Sequence, residues 1–251
     1  MTTPEAMVNL PLQKPDILDP IVAYDAFAPY YKPYSETRKL YLRKIEDIII
    51  AHACNARSLL DVGAGDGSRA LRIAKSAGIT RMVLLEPSAG MRVQCPPDAE
   101  VWPGGILEIS DESPQFDLIT CLWNVLGHIQ GSSQRLLALS KLKRLLSPGG
   151  TIFLDVSHRY NAASYGWTRT LLRMVHDLFL RSDKHGDVIV SWEVNGGTIH
   201  TRGHVFRQAE MKKLFRTAGL KIVGKWVVSY ETGAECRLST SGHLLYQLAV
   251  A

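Results

Sequence analysis

One short stretch limits this chain more than any other. Leu59-Leu60-Asp61-Val62-Gly63-Ala64-Gly65-Asp66-Gly67 is an apolar run that enters three alternating glycines, and residues 68–77 then read as a helix. Glycines at such a turn permit positive φ and leave no Cβ between the backbone and a ligand. The helix that starts there offers free N–H groups to an electronegative partner. Roughly twenty residues further on, the next apolar run ends at Glu86, where a carboxylate can accept hydrogen bonds from both hydroxyls of a ribose. Together these residues describe a nucleoside-type cofactor laid across the C-terminal ends of the strands.

The remainder of the chain supports a sheet of that kind. Apolar runs at 58–62, 82–85, 117–122 and 151–156 alternate with helical patterns at 68–77, 91–95 and 134–146. Alternation implies βαβ units and a parallel sheet. The runs are continuously apolar, as in strands covered on both faces. Residues 157–205 interrupt the rhythm. There, 164–180 reads as an amphipathic helix, and 188–194 and 198–206 as two strands joined at Asn195-Gly196-Gly197, a hairpin signal. A helix at 210–218 with Gly219 as its cap, and strands at 221–230 and 243–250, close the pattern. Upstream, 38–53 is a helical pattern with Ser35 as its N-cap, preceded by a tyrosine-rich segment broken by Pro29 and Pro33. The expected organisation is a tail over 1–20, a lid and helix over 21–56, and an α/β domain over 57–251 with a cap insertion at about 157–205. The expected fold is a Rossmann-like seven-stranded α/β sandwich, mostly parallel, with an antiparallel last strand.

Spacing and charge choose among nucleoside cofactors. A dinucleotide fingerprint asks for GxGxxG, but here the glycines run GxGxG and Ser68 holds the third position. Asp61 and Asp66 would repel a pyrophosphate and attract an ammonium or sulfonium. No GxxxxGK[ST] motif is present, which excludes a P-loop. A nicotinamide oxidoreductase is therefore the weakest of the alternatives.

Four segments resemble the class I S-adenosylmethionine-dependent methyltransferases. Asp61-Val62-Gly63-Ala64-Gly65-Asp66-Gly67 is similar to that family's first motif, and Leu85-Glu86-Pro87-Ser88 with Met91 to its second. Phe116-Asp117-Leu118-Ile119 and the following Leu122 to Ile129 resemble the fourth strand and its exit. Leu145-Leu146-Ser147-Pro148-Gly149-Gly150 resembles the turn into strand five. The resemblance implies S-adenosyl-L-methionine as cofactor, S-adenosyl-L-homocysteine as product and a small-molecule methyl acceptor. It implies cofactor contacts from Tyr24, Tyr30, Asp61, Gly63, Ala64, Gly65, Glu86, Pro87, Met91, Gly105, Ile106 and Asn124. The chain departs from the family after strand three. An acid that often holds the adenine amino group is replaced by Gly104-Gly105, so backbone groups of Gly105 or Ile106 are expected there.

The methyl acceptor belongs above the strand ends. His128, after strand four, and His158, after strand five, are candidate general bases or acceptor-orienting groups. For each, the alternative is helix capping or a local hydrogen-bond network. Arg159 could hold an acidic substrate or form a structural ion pair. Tyr31, Tyr160 and Trp192 are further candidates for the acceptor wall. Trp167 and His200 lie in the same insertion. Motifs for nucleic-acid amino methylation, cytosine C5 attack or Mg²⁺-dependent catechol chemistry are missing, and no metal is expected.

Composition narrows the remaining classes. The chain has 251 residues, 46% apolar and 21% charged, enough for a core without staples. Its four cysteines form no CxxC pair, which points to reduced thiols and a cytoplasmic setting. No apolar run approaches the length of a membrane span. The net charge of +5 permits nucleic-acid binding without arguing for it. RNA or protein methylation is the competing enzymatic reading, suggested by Arg159, Arg169, Arg173, Arg181 and Lys184. A monomer or homodimer is expected.

Overall fold

The computed structural model describes residues 16–251 except 54, 111 and 181. Strand β1 (Ile17–Leu18) leads into helices α1 (Pro20–Thr37) and α2 (Lys39–His52). The alternating part follows as β2 (Ser58–Val62), α3 (Ser68–Ala77), β3 (Arg81–Glu86), α4 (Ala89–Arg92), β4 (Glu100–Pro103), β5 (Phe116–Cys121), α5 (Val125–His128), α6 (Ser132–Arg144) and β6 (Leu146–Val156). The insertion holds α7 (Ala162–Tyr165), α8 (Trp167–Phe179), β7 (Asp187–Val194) and β8 (Gly197–His204). Helix α9 (Gln208–Thr217), β9 (Leu220–Val228) and β10 (His243–Val250) end the chain.

The main sheet has seven strands in the order β4-β3-β2-β5-β6-β10-β9, and only β10 runs antiparallel to its neighbours. This is the expected Rossmann-like architecture. The chain steps outward from β2 through β3 to β4, then returns to the other side of β2 as β5. A crevice opens at such a reversal, above the C-terminal strand ends. Both faces of the sheet are covered. One buries Ile119, Leu139, Phe206, Met211 and Phe215, and the other Tyr41, Ile45, Ile49, Ile73 and Phe153. Strand β4 is an addition to the sequence reading; its pattern of exposed and half-buried residues is that of a short edge strand.

The N-terminal segment differs from expectation. Residues 17–18 are not a loose tail but pair with β8, Ile17 opposite His200 and Leu18 opposite Thr201. Residues 1–15 lie outside the described residues. Helix α1 continues through Pro29 and Pro33, which were expected to break it. A proline inside a helix costs about 3 kcal/mol, so tertiary contacts must offset it. They come from a third apolar cluster of Ala23, Phe27, Ala28 and Tyr31 of α1 with Met91 and Trp192. Ser35 is not a cap: it lies inside α1 and its hydroxyl donates to the Lys32 carbonyl, while Arg38 begins α2.

Helix α1 is also pinned by polar contacts. Asp25 Oδ1 accepts from the Ser88 hydroxyl at 2.6 Å and from the Gly90 N–H at 2.9 Å. These hydrogen bonds hold the Asp25 carboxyl below the usual range. The insertion is fastened by buried His204, whose Nδ1 and Nε2 meet Asp187 at 2.7 Å and Glu210 at 3.0 Å.

The basic stretch of the insertion is not one continuous cationic face. Arg159 is buried against Asp177, and Arg173 stacks over Tyr165 at 4.5 Å. The expected single helix over 164–180 breaks at Gly166 into α7 and α8. Helix α8 turns Trp167, Leu171, Leu172, Leu178 and Phe179 outward. No helix of the described residues is long and apolar enough to cross a membrane.

The pinning predicts a local effect. Asp25→Ala should speed amide hydrogen exchange in α1 by at least several-fold while leaving exchange in β2, β5 and β6 unchanged. Uniform acceleration across the sheet would count against a local clamp.

Candidate active site

The glycine loop after β2 has the geometry its sequence demands. Gly63, Gly65 and Gly67 have φ of +66°, +62° and +70°. A Cβ on Gly63 would lie 2.5 Å from Val125, and one on Gly65 would lie 2.8 Å from the Tyr31 hydroxyl. The loop is thus wedged between α1 and the segment that leaves β5. Glu86, at the end of β3, holds it from the side. Its Oε2 accepts from the Gly65 N–H at 2.7 Å and its Oε1 from the Ser88 N–H at 2.9 Å. Burial pushes the Glu86 carboxyl up to about 7, partly opposed by those two hydrogen bonds.

A cavity of about 340 Å³ opens above this loop, lined by Gly63, Gly65, Glu86, Pro87, Gly105 and Ile106 together with Arg69, Glu108, Tyr24, Tyr31, Trp123 and His128. That volume falls in the range of ordinary small-molecule sites. Two buried polar atoms here have no hydrogen-bond partner: Asp61 Oδ2 and Arg69 Nε. The other Asp61 oxygen accepts from Thr120 at 2.6 Å. Arg69 lines the cavity, and its unpaired N–H fits the carboxylate of an amino-acid group, while Asp61 is fully buried nearby. At the far end, the Gly105 backbone lines the cavity and is engaged by Glu108. Its N–H donates to Glu108, and its carbonyl accepts the Glu108 N–H at 3.1 Å. Glu108 lines the cavity there and brings a carboxylate beside the Gly104-Gly105 pair.

A second cavity of about 240 Å³ adjoins the first, and Tyr24, Tyr31, Trp123 and His128 line both. It is walled by aromatic rings, among them Phe27, Tyr34, Trp192 and Tyr230, with Asp155 at the end of β6. Trp192 stacks on Phe27 at 4.5 Å. Trp123 and Asn124 both adopt left-handed backbone, φ +64° and +61°. Such non-glycine residues cost about 1–3 kcal/mol each and persist only where neighbours enforce them. Asp155 supplies that force, its Oδ1 accepting the Asn124 N–H at 3.0 Å and its Oδ2 the Tyr41 hydroxyl. His128 sits at the junction. Its Nδ1 donates to the Arg202 carbonyl at 3.2 Å, which leaves Nε2 to accept from the Tyr24 hydroxyl at 3.2 Å. Burial holds the His128 ring below its usual value.

Residues 34–225 match the family model described as "Methyltransferase domain". The chain belongs to the class I S-adenosylmethionine-dependent methyltransferases. Its cofactor is S-adenosyl-L-methionine. A dTDP-3-amino-3,6-dideoxy-alpha-D-glucopyranose N,N-dimethyltransferase of Streptomyces fradiae is 27% identical over 73% of this chain and 79% of its own. A cypemycin N-terminal methyltransferase of a Streptomyces species is 27% identical over 68% and 75%. An S-adenosylmethionine-dependent methyltransferase of Clostridium acetobutylicum shares the fold with a TM-score of 0.64 at 13% identity, over 91% of this chain and 99% of that one.

Several residues singled out in the sequence lie elsewhere in this methyltransferase. His158 lines neither cavity. It is buried, donates from Nδ1 to the Ser239 carbonyl at 2.7 Å, and burial lowers its pKa to about 4. Arg159 is not available to an acidic substrate. Its guanidinium grips Asp177 at 2.6 and 3.0 Å, and the Tyr160 hydroxyl donates to the same carboxylate at 2.8 Å. These hydrogen bonds overcome burial and hold Asp177 down at about 2. The strand-end position was read correctly, but the chain turns outward after Ser157 to pair with Phe206. Tyr30 lines neither cavity, although its neighbour Tyr31 lines both. Asn124 faces the second cavity instead of the first, bridging the Ser157 N–H and the His204 carbonyl. Asp61, Ala64 and Met91 are buried behind the loop. Trp167 is exposed, and His200 is bonded to Ser191 at 2.8 Å, away from both cavities. The sequence reading passed over Arg69, Glu108, Tyr41, Asp155 and Tyr230. Of these, only Asp155 had a signal, its place at a strand end.

The geometry predicts a pH effect on cofactor binding. A ribose whose hydroxyls donate to the ionised Glu86 would lower its pKa and release a proton on binding. Affinity for S-adenosylhomocysteine, read by calorimetry, should therefore rise with pH up to about 7 and level off above it. Glu86→Gln should weaken binding by about tenfold and flatten the profile. Gly65→Ala should weaken it as well, because the new Cβ displaces Tyr31.

Proposed function

We propose that this methyltransferase transfers a methyl group to the nitrogen of a small organic amine, in the formation of a specialised metabolite. The observation that carries this reading is the pair of adjoining cavities sharing Tyr24, Tyr31, Trp123 and His128. The first has glycine-loop, ribose-acid and amino-acid features. The second is a small aromatic chamber suited to an acceptor. The name of one curated relative, an N,N-dimethyltransferase, specifies nitrogen as the atom methylated.

In this reading Gly63 and Gly65 let the cofactor approach the backbone, and Glu86 takes the ribose hydroxyls. Glu108 and Ile106 border the adenine, while Arg69 holds the carboxylate of the amino-acid end and Asp61, behind the loop, adds negative charge nearby. The bound cofactor supplies an electrophilic methyl on sulfur. Tyr31 and Trp123 flank the passage between the cavities and exclude water from it. The acceptor nitrogen forms the new N–C bond with its lone pair. The S–C bond breaks, and sulfur keeps that electron pair. The nitrogen must then lose a proton. His128 is placed to take it, because burial keeps its ring neutral and its Nε2 points to the Tyr24 hydroxyl at the junction. Burial keeps Tyr24 protonated by raising its pKa well above the usual value, so its hydroxyl can pass the proton on. Helix α1 closes over both cavities as a pinned lid. The Trp192 hairpin packs against that helix and extends the wall of the second cavity.

His128→Ala should lower kcat by about 10²-fold or more while leaving S-adenosylhomocysteine affinity within twofold. The screen for the reaction is transfer of label from methyl-labelled cofactor into a metabolite extract. Absence of any labelled amine with active, cofactor-bound protein would overturn the amine assignment. An unchanged kcat in His128→Ala would remove the histidine from the proton path.

A further inference from the structure

We propose that the second cavity takes an amine with an apolar, ring-sized body and no phosphate, and that Asp155, braced by Tyr41, anchors its nitrogen. This rests on the amine reading above and goes further by choosing among amines. The two curated relatives are named for very different acceptors, one a nucleotide-linked amino sugar and the other named as an N-terminal methyltransferase. The chamber itself discriminates between such classes.

Charge is the first argument. Among the described residues, no lysine or arginine lines the second cavity. Its two histidines are neutral, since burial lowers His128 and brings His243 down to about 4. Arg38 stacks over Tyr230 at 4.6 Å but does not line the chamber. Asp155 is the one acidic residue on its wall. Arg69 acts on Asp155 from the first cavity, but a diphosphate inside the chamber would meet a carboxylate and no lysine or arginine on the wall, and burying an unpaired anion is strongly unfavourable.

The second argument is the state of Asp155. It is 2% exposed, and burial raises its pKa. An ionised carboxylate offers about four acceptor positions. Tyr41 and the backbone N–H groups of Asn124 and Trp123 occupy part of them. The residue lines the cavity, where an amine N–H is the complementary donor to the acceptor positions that remain. The aromatic wall adds attraction for a cation through its ring faces. Size is the third argument. At about 240 Å³ the chamber falls below the range for drug-sized ligands, and a nucleotide sugar would not fit inside it.

The test uses the full chain saturated with S-adenosylhomocysteine and calorimetry with three probes: phenethylamine, the uncharged 2-phenylethanol and thymidine diphosphate. Phenethylamine is expected to bind at least tenfold more tightly than either of the others. Asp155→Asn keeps an oxygen for the Asn124 N–H and should erase the preference for the amine without changing S-adenosylhomocysteine affinity. If that variant does not fold, the wild-type ranking decides alone. Equal binding of amine and alcohol, or tighter binding of thymidine diphosphate, overturns the proposal. Failure of all three to bind overturns it too. Methyl label found on a thymidine diphosphate-linked amino sugar would overturn this inference and uphold the amine methyltransferase. Label on no amine at all would instead sink the broader reading.

Discussion

The Glu86 carboxylate ties the site together. It stands at the end of β3 and takes one N–H from the glycine loop and one from Ser88. Ser88 in turn donates to Asp25 of the lid helix. Loop, strand end and lid are therefore one hydrogen-bonded unit. Such cross-linking fixes loop and lid relative to one another, which lowers the ordering cost of binding. It also explains why a carboxylate is tolerated at 5% exposure. Two backbone donors partly compensate its desolvation, and the residual penalty is visible as its raised pKa.

Asp155 plays the matching part on the other side of the sheet's crevice. Through Asn124 it holds two consecutive left-handed residues after β5, and through Tyr41 it reaches helix α2. That strained turn places Trp123 between the two cavities and starts the short helix that carries His128. Local strain and a buried acid are both costly. Their coexistence at one junction is what a site needing fixed distances requires. The lid is also less mobile than a tyrosine-rich, proline-containing segment suggests. It is a full helix with one face sealed against Met91 and Trp192.

Much of this protein is legible in its amino-acid order. The continuous apolar runs, the three glycines at alternate positions and an acid about twenty residues later dictate a parallel sheet with a nucleoside site at its strand ends. These signals are local: backbone sterics and burial on both faces act over a few residues. The hairpin at Asn195-Gly196 is legible for the same reason, and Gly196 has φ +96°. The absence of a dinucleotide spacing was enough to separate cofactors by charge.

What only the tertiary structure decided depends on contacts distant in sequence. Propensity reads Pro29 and Pro33 as breaks, but the buried face of α1 outweighs them. Position at a strand end marks His158 and Arg159 as functional, but Ser239 and Phe206 hold the first and Asp177 of α8 the second. Conversely, Arg69, Glu108, Tyr41 and Tyr230 carry no motif. Each faces or braces a cavity because helices and loops far apart in the chain converge there. Sequence order determines which residues can form strands, turns and a cofactor loop, since those choices are made by neighbours. Which polar side chains end up unpaired and aimed at a ligand is set by packing across the whole fold.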